Sequence, residues 1–322
     1  MSGDNNPAQG GDARPPVPTA ASSAAAQQAE LRRLARTRHA VILAHNYQRP
    51  EVQDAADCVG DSLELARAAA ATDAQIILFC GVHFMAETAA ILSPHKQVLM
   101  PDSGAGCPMA NMVSVEGLRA LKEEHAGAAV VAYVNTSAAV KAEADVCCTS
   151  ANAVEVVRRF PPSQPIIFVP DRNLGAYVAQ RLGRPLILWE GWCHVHDDIR
   201  ATDVAQRRER FPDALVMAHP ECRREVLDLA DAVLSTSGML RWPADNPASH
   251  YIVATEVGLL HRLTMLYPER TFVPARAAAV CPNMKLTTLG KAIAALREGR
   301  NEVTVPSDIR ERALAAVRRM VQ

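Results

Sequence analysis

Aromatic residues are scarce in this 322-residue chain, at 4% of its composition, and no apolar run approaches the ~20 residues of a membrane span. The chain also lacks an excess of one charge, because 34 basic residues nearly balance 35 acidic ones, for a formal net charge of −1. Nucleic-acid surfaces are basic and often use aromatic stacking. The composition therefore argues against nucleic acid and against a membrane as partners.

A secretory signal is missing as well. Residues 1–29 are a mixture of Gly, Pro, Ser, Ala and Gln, without the basic start and apolar core of a signal peptide. We predict a disordered N-terminal tail over 1–29 and a cytoplasmic location. In that compartment the eight cysteines are expected to be reduced thiols or metal ligands rather than disulfides.

What the chain does contain is a four-part pattern that occurs three times, at intervals of 86 to 88 residues. Each copy opens with an apolar run that ends in a polar cluster, where His45, Tyr133 and His219 occupy equivalent places. A second part carries hydroxyl residues before a helical pattern, and two further apolar runs follow. Self-similarity at a fixed period indicates repeated structural units.

The fold class predicted from this pattern is α/β, with three similar parallel-sheet α/β/α units. Short runs rich in Val, Ile and Leu are typical of buried parallel strands, and helical patterns alternate with them. Polar residues that follow such strands gather at one edge of the sheet, where ligands bind. The predicted units span 30–113, 114–200 and 201–284, and 285–322 is expected to form C-terminal helices packed on the core.

Each copy of the pattern ends in a cysteine: Cys107, Cys193 and Cys281. Their wide spacing excludes the close pairs of zinc fingers and the tight runs of ferredoxins. Two sites remain open on this reasoning: a four-iron cluster with one iron free of protein ligands, or a Cys₃ zinc site with an open position. We interpret four other cysteines as small buried apolar residues: Cys58, Cys147, Cys148 and Cys222. Whether Cys80 lines the site is left open.

Several stretches resemble the quinolinate synthase family, among them AHNYQRPEVQDAAD, MPDSGAGCPMANMV, AYVNTSAAVKAEADVCCTSANA, HPEC and CPNMKLTTLGKA. The resemblance covers about residues 40–320. It implies a transferase of de novo NAD biosynthesis that condenses iminoaspartate with dihydroxyacetone phosphate to quinolinate, releasing phosphate and two waters. It also implies three units around a pseudo-three-fold axis with the active site at their junction.

The cofactor implied by the resemblance is one [4Fe-4S] cluster per chain, held by Cys107, Cys193 and Cys281. Its open iron would act as a Lewis acid. The implied partners are the two small-molecule substrates, with a functional link to L-aspartate oxidase. Some members carry two more cysteines before the third ligand, but Ala275 and Ala278 stand there, so no redox switch is expected.

The resemblance also carries over site residues where the motifs match. The expected substrate-binding residues are His45, Ser62, Tyr133, Asn135, Ser150, His219, Glu221 and Thr236. The hydroxyls before the helices are expected to anchor carboxylate and phosphate oxygens. The expected catalytic residues are Glu221 as general base, with His219, His45 and Tyr47.

Two other functions stay open. One is a different iron–sulfur hydro-lyase that uses the same open iron on another hydroxy acid, and the other is an iron–sulfur sensor. His194 and His196 flank the second cysteine, and either could in principle replace a thiolate as ligand, but the family resemblance assigns the bond to Cys193. The roles of His83 and Lys285 are left unassigned.

Overall fold

The computed structural model describes residues 20–321. Helix α1 spans Ala20–Thr37, so the prediction of a disordered tail is wrong for its last ten residues, while 1–19 lie outside the described residues. The segment is rich in alanine, which favours a helix. Leu31 and Ala35 are buried in an apolar cluster with the C-terminal part of the chain, and this packing stabilises the helix.

Within residues 20–321, twelve strands form three four-stranded sheets with the same order, and every pair in them is parallel. In each unit the second strand lies at one edge, next to the first, and the third and fourth follow. The first sheet holds β1 (Ala40–His45), β2 (Cys58–Gly60), β3 (Ile76–Cys80) and β4 (Gln97–Leu99). The second holds β5 (Ala129–Tyr133), β6 (Val146–Cys148), β7 (Ile166–Val169) and β8 (Ile187–Leu188). The third holds β9 (Leu215–Ala218), β10 (Ala232–Val233), β11 (His250–Ala254) and β12 (Thr271–Pro274).

Helices connect these strands. In the first unit they are α2 (Pro50–Gln53), α3 (Ser62–Ala71) and α4 (His83–Leu92). The second unit has α5 (Val115–Glu124), α6 (Ala138–Lys141), α7 (Ala153–Arg158) and α8 (Arg172–Leu182), followed by α9 (His194–Asp197) and α10 (Ala201–Arg210). The third has α11 (Arg224–Leu227), α12 (Thr236–Asp245) and α13 (Leu259–Leu266), and the chain ends with α14 (Leu289–Glu298) and α15 (Ser307–Val321).

The predicted α/β fold with three similar parallel-sheet units is confirmed. One aspartate per unit makes the equivalence visible at atomic detail. The carboxylates of Asp57, Asp145 and Asp231 accept the backbone N–H of Ile42, Val130 and Val216, at 2.8, 2.7 and 2.7 Å. Each aspartate lies 15 residues after its strand partner and returns a backbone hydrogen bond to it. The same clamp therefore joins the first strand to the start of the second in all three units.

The two C-terminal helices pack on different parts of the core. Helix α14 lies against α1, and α15 lies against β6, α4 and α6. Because α4 belongs to the first unit and α6 to the second, α15 bridges two units. The unit boundaries given above remain predictions. Within residues 20–321, no helix has the length and apolar character needed to cross a membrane.

Candidate active site

A cavity lies where the carboxyl ends of the strands meet, and residues from all three units line it. This is the edge at which α/β sheets bind ligands. All twelve predicted site residues line it: His45, Tyr47, Ser62, Cys107, Tyr133, Asn135, Ser150, Cys193, His219, Glu221, Thr236 and Cys281. Their roles stay predictions.

Three strand-end thiols, those of Cys107, Cys193 and Cys281, reach this cavity from the loops after β4, β8 and β12. All three are free, partly buried cysteines. Burial raises the pKa of Cys107 to about 12 and raises that of Cys193 and Cys281 as well. The thiols are therefore protonated in the absence of a metal, and metal binding would release their protons.

The other cysteines lie outside the cavity lining. Cys80 is fully buried, in the apolar cluster that includes α1 and α14, so the question left open by the sequence is answered: it packs in the core. Cys147, Cys148 and Cys222 are buried, as expected of small apolar residues, while Cys58 is only partly buried. Only the strand-end thiols, among residues 20–321, meet at one cavity.

A hydrogen-bonded network joins the predicted base to a histidine that the sequence reading left without a role. Tyr133 donates its hydroxyl to Glu221 Oε1 at 2.6 Å. His196 Nδ1 lies 2.7 Å from Glu221 Oε2 and 3.2 Å from Cys193 Sγ. Because a carboxylate only accepts hydrogen bonds, Nδ1 carries a proton. His196 is thus bonded to the base and adjacent to a strand-end thiol.

The other nitrogen of His196 extends the network to Tyr47. His196 Nε2 lies 2.8 Å from Thr255 Oγ1 and 3.2 Å from the Tyr47 hydroxyl. Tyr47 and Thr255 are themselves 2.5 Å apart. His196 stands three residues after Cys193, in the short helix α9. That proximity to a strand-end thiol was the only signal for it in the sequence.

Burial sets the protonation states in the network. Burial lowers the pKa of His45 and of His219 to about 3, so both imidazoles are neutral at pH 7. Burial alone would raise the pKa of Glu221, but His196, His219 and the Tyr133 hydrogen bond together lower it to about 2. Burial also raises the pKa of Tyr47 and Tyr133 well above 10, so both keep their hydroxyl protons.

The predicted hydroxyl anchors are not the residues that cap their helices. Asp61, not Ser62, accepts the first backbone N–H groups of α3. Ser235, not Thr236, does the same for α12. The hydroxyl of Ser150 lies 3.2 Å from His219 Nε2. These hydroxyls line the cavity without serving as caps, an arrangement that leaves them available to a ligand.

Asn135 offers a further polar group to a ligand. Its Oδ1 is buried with no hydrogen-bond partner among residues 20–321, and the residue lines the cavity. Buried acceptors are normally satisfied, and this oxygen can accept a hydrogen bond from a ligand in the cavity. Thr236 accepts a hydrogen bond from Asn46 at 2.8 Å, which orients its hydroxyl across the boundary between the first and third units.

Two residues left unassigned by the sequence have contrasting places. His83 begins α4, has a side chain that is 48% exposed, and contacts Glu87 at 3.8 Å; it does not line the cavity. Lys285 does not line the cavity and forms a 3.0 Å ion pair with the buried Glu256. Glu256 does line the cavity, although it was not predicted as a site residue.

Two groups of side chains at this site could bind a metal. Cys193, His196 and Glu221 offer ligand atoms that lie within 4.8 Å of one another. His196 and Glu221 already bond each other at 2.7 Å, so a metal between them would have to break that bond. The three strand-end thiols need no such break, and a set of three thiols fits an iron–sulfur cluster better than a hard cation.

The fold and the cavity together define a three-unit α/β protein with a central site of thiols, imidazoles and carboxylates. The family described as "Quinolinate synthetase A protein" matches residues 29–322. A quinolinate synthase of Desulforudis audaxviator is 54% identical over 293 residues, covering 91% of this chain and 97% of the relative. One of Methanoregula boonei is 54% identical over 294 residues, covering 91% and 97%. Another, of Geobacter metallireducens, is 53% identical over 292 residues, covering 91% and 96%.

The chain belongs to the quinolinate synthase family. It is therefore a member of an enzyme family of NAD biosynthesis that acts on small molecules, and the predicted resemblance is confirmed.

Proposed function

We propose that this protein is a quinolinate synthase, a transferase that condenses iminoaspartate with dihydroxyacetone phosphate and releases quinolinate, phosphate and two waters. One observation carries the proposal: three thiols from three units meet the Tyr133–Glu221–His196 network in a single buried cavity. Family membership over residues 29–322 supports it independently.

The strand-end thiols would hold one [4Fe-4S] cluster, and the iron without a protein ligand would supply a Lewis acid for the hydroxyl lost in dehydration. The donor set fits this group, because three protein thiols leave one of four irons open. Zinc is the alternative cofactor, because His196 and Glu221 lie beside Cys193 and offer ligand atoms that zinc binds. Iron and sulfide counts distinguish the two.

Substrate binding falls to hydroxyls and backbone amides. Both proposed substrates are anionic, and the positive dipole ends of α3 and α12 favour anions, although Asp61 and Ser235 already accept N–H groups there. Ser62 and Thr236 are the first residues of these helices. We assign them, with Ser150 and Asn135, to the carboxylate and phosphate oxygens.

Proton removal falls to Glu221. At pH 7 the carboxyl is ionised, and its two oxygens face the hydroxyl of Tyr133 and the ring of His196. A bound dicarboxylate beside it would raise its pKa, because like charges repel, and so bring it toward the range in which a general base works best. The neutral His219 and His45 assist, because each imidazole can accept a hydrogen bond from the substrate or donate one to it.

Proton donation falls to the tyrosines. Tyr47 and Tyr133 keep their protons at neutral pH because burial raises the pKa of both. Their hydroxyls can therefore donate to an alkoxide or carboxylate that develops during the reaction. The fixed contacts of Tyr47 to Thr255 and His196 hold its hydroxyl in place before the substrate arrives.

The proposed cellular setting is the cytoplasm, with a supply of unstable iminoaspartate from an L-aspartate oxidase. Anaerobic incubation of the cluster-loaded protein with iminoaspartate and dihydroxyacetone phosphate tests the function. Quinolinate is the expected product. Its absence, together with dehydration of another hydroxy acid, would replace this function with that of a different iron–sulfur hydro-lyase.

A further inference from the structure

The turn after β11 holds Tyr47 by both ends. Thr255 contacts the Tyr47 hydroxyl at 2.5 Å. Its neighbour Glu256 forms a 3.0 Å ion pair with Lys285, and Lys285 donates a hydrogen bond to the backbone carbonyl of Tyr47. Two successive residues of the third unit thus fix the phenol and the backbone of a residue of the first unit.

The same carboxylate also holds the backbone of a strand-end cysteine. Glu256 Oε1 accepts the backbone N–H of Cys281 at 3.2 Å, and Oε2 accepts that of Gly258 at 2.7 Å. The side chain of Glu256 is fully buried, and that of Lys285 is 18% exposed. Burying a carboxylate costs free energy unless the charge is paired. The ion pair with Lys285 therefore offsets the cost of burying Glu256.

The backbone of Gly258 packs directly against the pair. A Cβ atom at Gly258 would lie 2.7 Å from Glu256 Oε2, 2.8 Å from Lys285 Nζ and 2.9 Å from the carbonyl carbon of Tyr47. Such approaches are far inside van der Waals contact. The backbone of Gly258 therefore passes between the ion pair and the Tyr47 loop, and only glycine fits there.

We propose that Glu256 and Lys285 are a positioning pair that holds the Tyr47 hydroxyl and the Cys281 thiol in one fixed relation. The inference rests on the proposed function, in which Tyr47 donates a proton and Cys281 binds the cluster. Neither member of the pair needs to touch the substrate. The pair acts through the two loops it joins, one from the first unit and one from the third.

Kinetics of the holoenzyme test the pair. Lys285→Met leaves Glu256 buried and unpaired, and a misplacement of about 1 Å can cost ~10² in rate. We expect kcat to fall by roughly 10- to 100-fold while KM changes by less than about threefold, since the anion-binding helix ends are untouched. Lys122→Met, which removes a lysine paired with Glu143 at 3.8 Å, is the matched control and should keep native kcat.

A double variant distinguishes a positioning role from a general loss of stability. In Glu256→Gln/Lys285→Met the buried charge disappears with its partner, so the double variant should recover part of the kcat lost in Lys285→Met, because coupled residues are not additive. Gly258→Ala displaces the pair without removing either charge and should reproduce the fall in kcat. Additive losses, or a kcat for Lys285→Met within about twofold of native, would overturn the proposal.

Iron retention supplies a readout that does not depend on turnover. Because outer residues that orient ligands are worth ~10- to 100-fold in metal affinity, Lys285→Met should lose iron to a chelator at least about tenfold faster than native protein or Lys122→Met. Equal rates of loss would contradict the pair's hold on Cys281. If the native protein made no quinolinate, the proposed function would fail, and this measurement would still decide the role of the pair.

Discussion

Replacing Glu221 by glutamine removes the charge at the centre of the network and keeps its shape. The carboxylate receives hydrogen bonds from Tyr133 at 2.6 Å and His196 at 2.7 Å. An amide can keep both contacts, with its oxygen facing the tyrosine hydroxyl and its NH₂ group facing the Nδ1 of a histidine in the other tautomer. We therefore expect Glu221→Gln to fold and to bind its cluster.

The size of the effect follows from these two bonds. A hydrogen bond to a charged group contributes ~1.5–3 kcal/mol and a neutral one ~0.5–1.5 kcal/mol, so the two bonds together lose about 2–3 kcal/mol. If this loss is felt in the transition state, it is a factor of roughly 30 to 160 in rate. Loss of a general base alone typically costs ~10²–10⁴. A fall in kcat of at least ~10² is expected.

The assay is anaerobic steady-state turnover at pH 7.5, with iron and sulfide counted on the same samples. Glu269→Gln is the matched control, since its carboxylate is 64% exposed and pairs only with Arg270 at the surface. Native kcat is expected for this control. A Glu221→Gln protein with a full cluster and a kcat within about threefold of native would refute the role of Glu221.

Three further outcomes are expected. Alanine at any one of the strand-end thiols should abolish both the iron content and the activity, whereas Cys80→Ala should keep both; iron bound at native level after loss of one strand-end thiol would contradict the ligand set. Tyr47→Phe should lower kcat by ~10²–10³, the usual effect of one lost donor, measured as above, and native turnover would exclude a role for its hydroxyl. His45 and His219 have pKa values of about 3 in the folded protein and ~6.5 when unfolded, so the unfolded chain binds more protons below pH 6.5. The stability they contribute is complete above pH 6.5 and is lost progressively toward pH 3; urea unfolding midpoints should therefore fall from pH 7.5 to pH 5, and a constant midpoint would contradict the burial of neutral imidazoles.

The three-unit fold was predictable because the pattern that encodes it is local. Short apolar runs, helical patterns and the residues after each strand recur at 86- to 88-residue intervals, and parallel sheets bring strand ends to one edge. The aspartate clamps at Asp57, Asp145 and Asp231 follow the same interval. The sequence therefore carries a signal for them as well.

The parts that were missed depend on contacts between distant segments. His196 reaches Tyr47 across 149 residues, and Lys285 reaches the Tyr47 carbonyl across 238. Neither His196 nor Lys285 recurs in the other units, so no periodicity marks them. The helix α1 was missed for a related reason: its alanine-rich start resembles a linker in composition, and its packing against α14, more than 250 residues away, is invisible to local reasoning.

The central claim is that three thiols, one from each unit, hold a four-iron cluster with one iron open to substrate. Iron and acid-labile sulfide counts per chain, made on protein purified without oxygen, test it most directly. About four of each are expected, with a brown protein that loses both on exposure to air. Stoichiometric zinc without sulfide, or about two irons per chain, would contradict the claim.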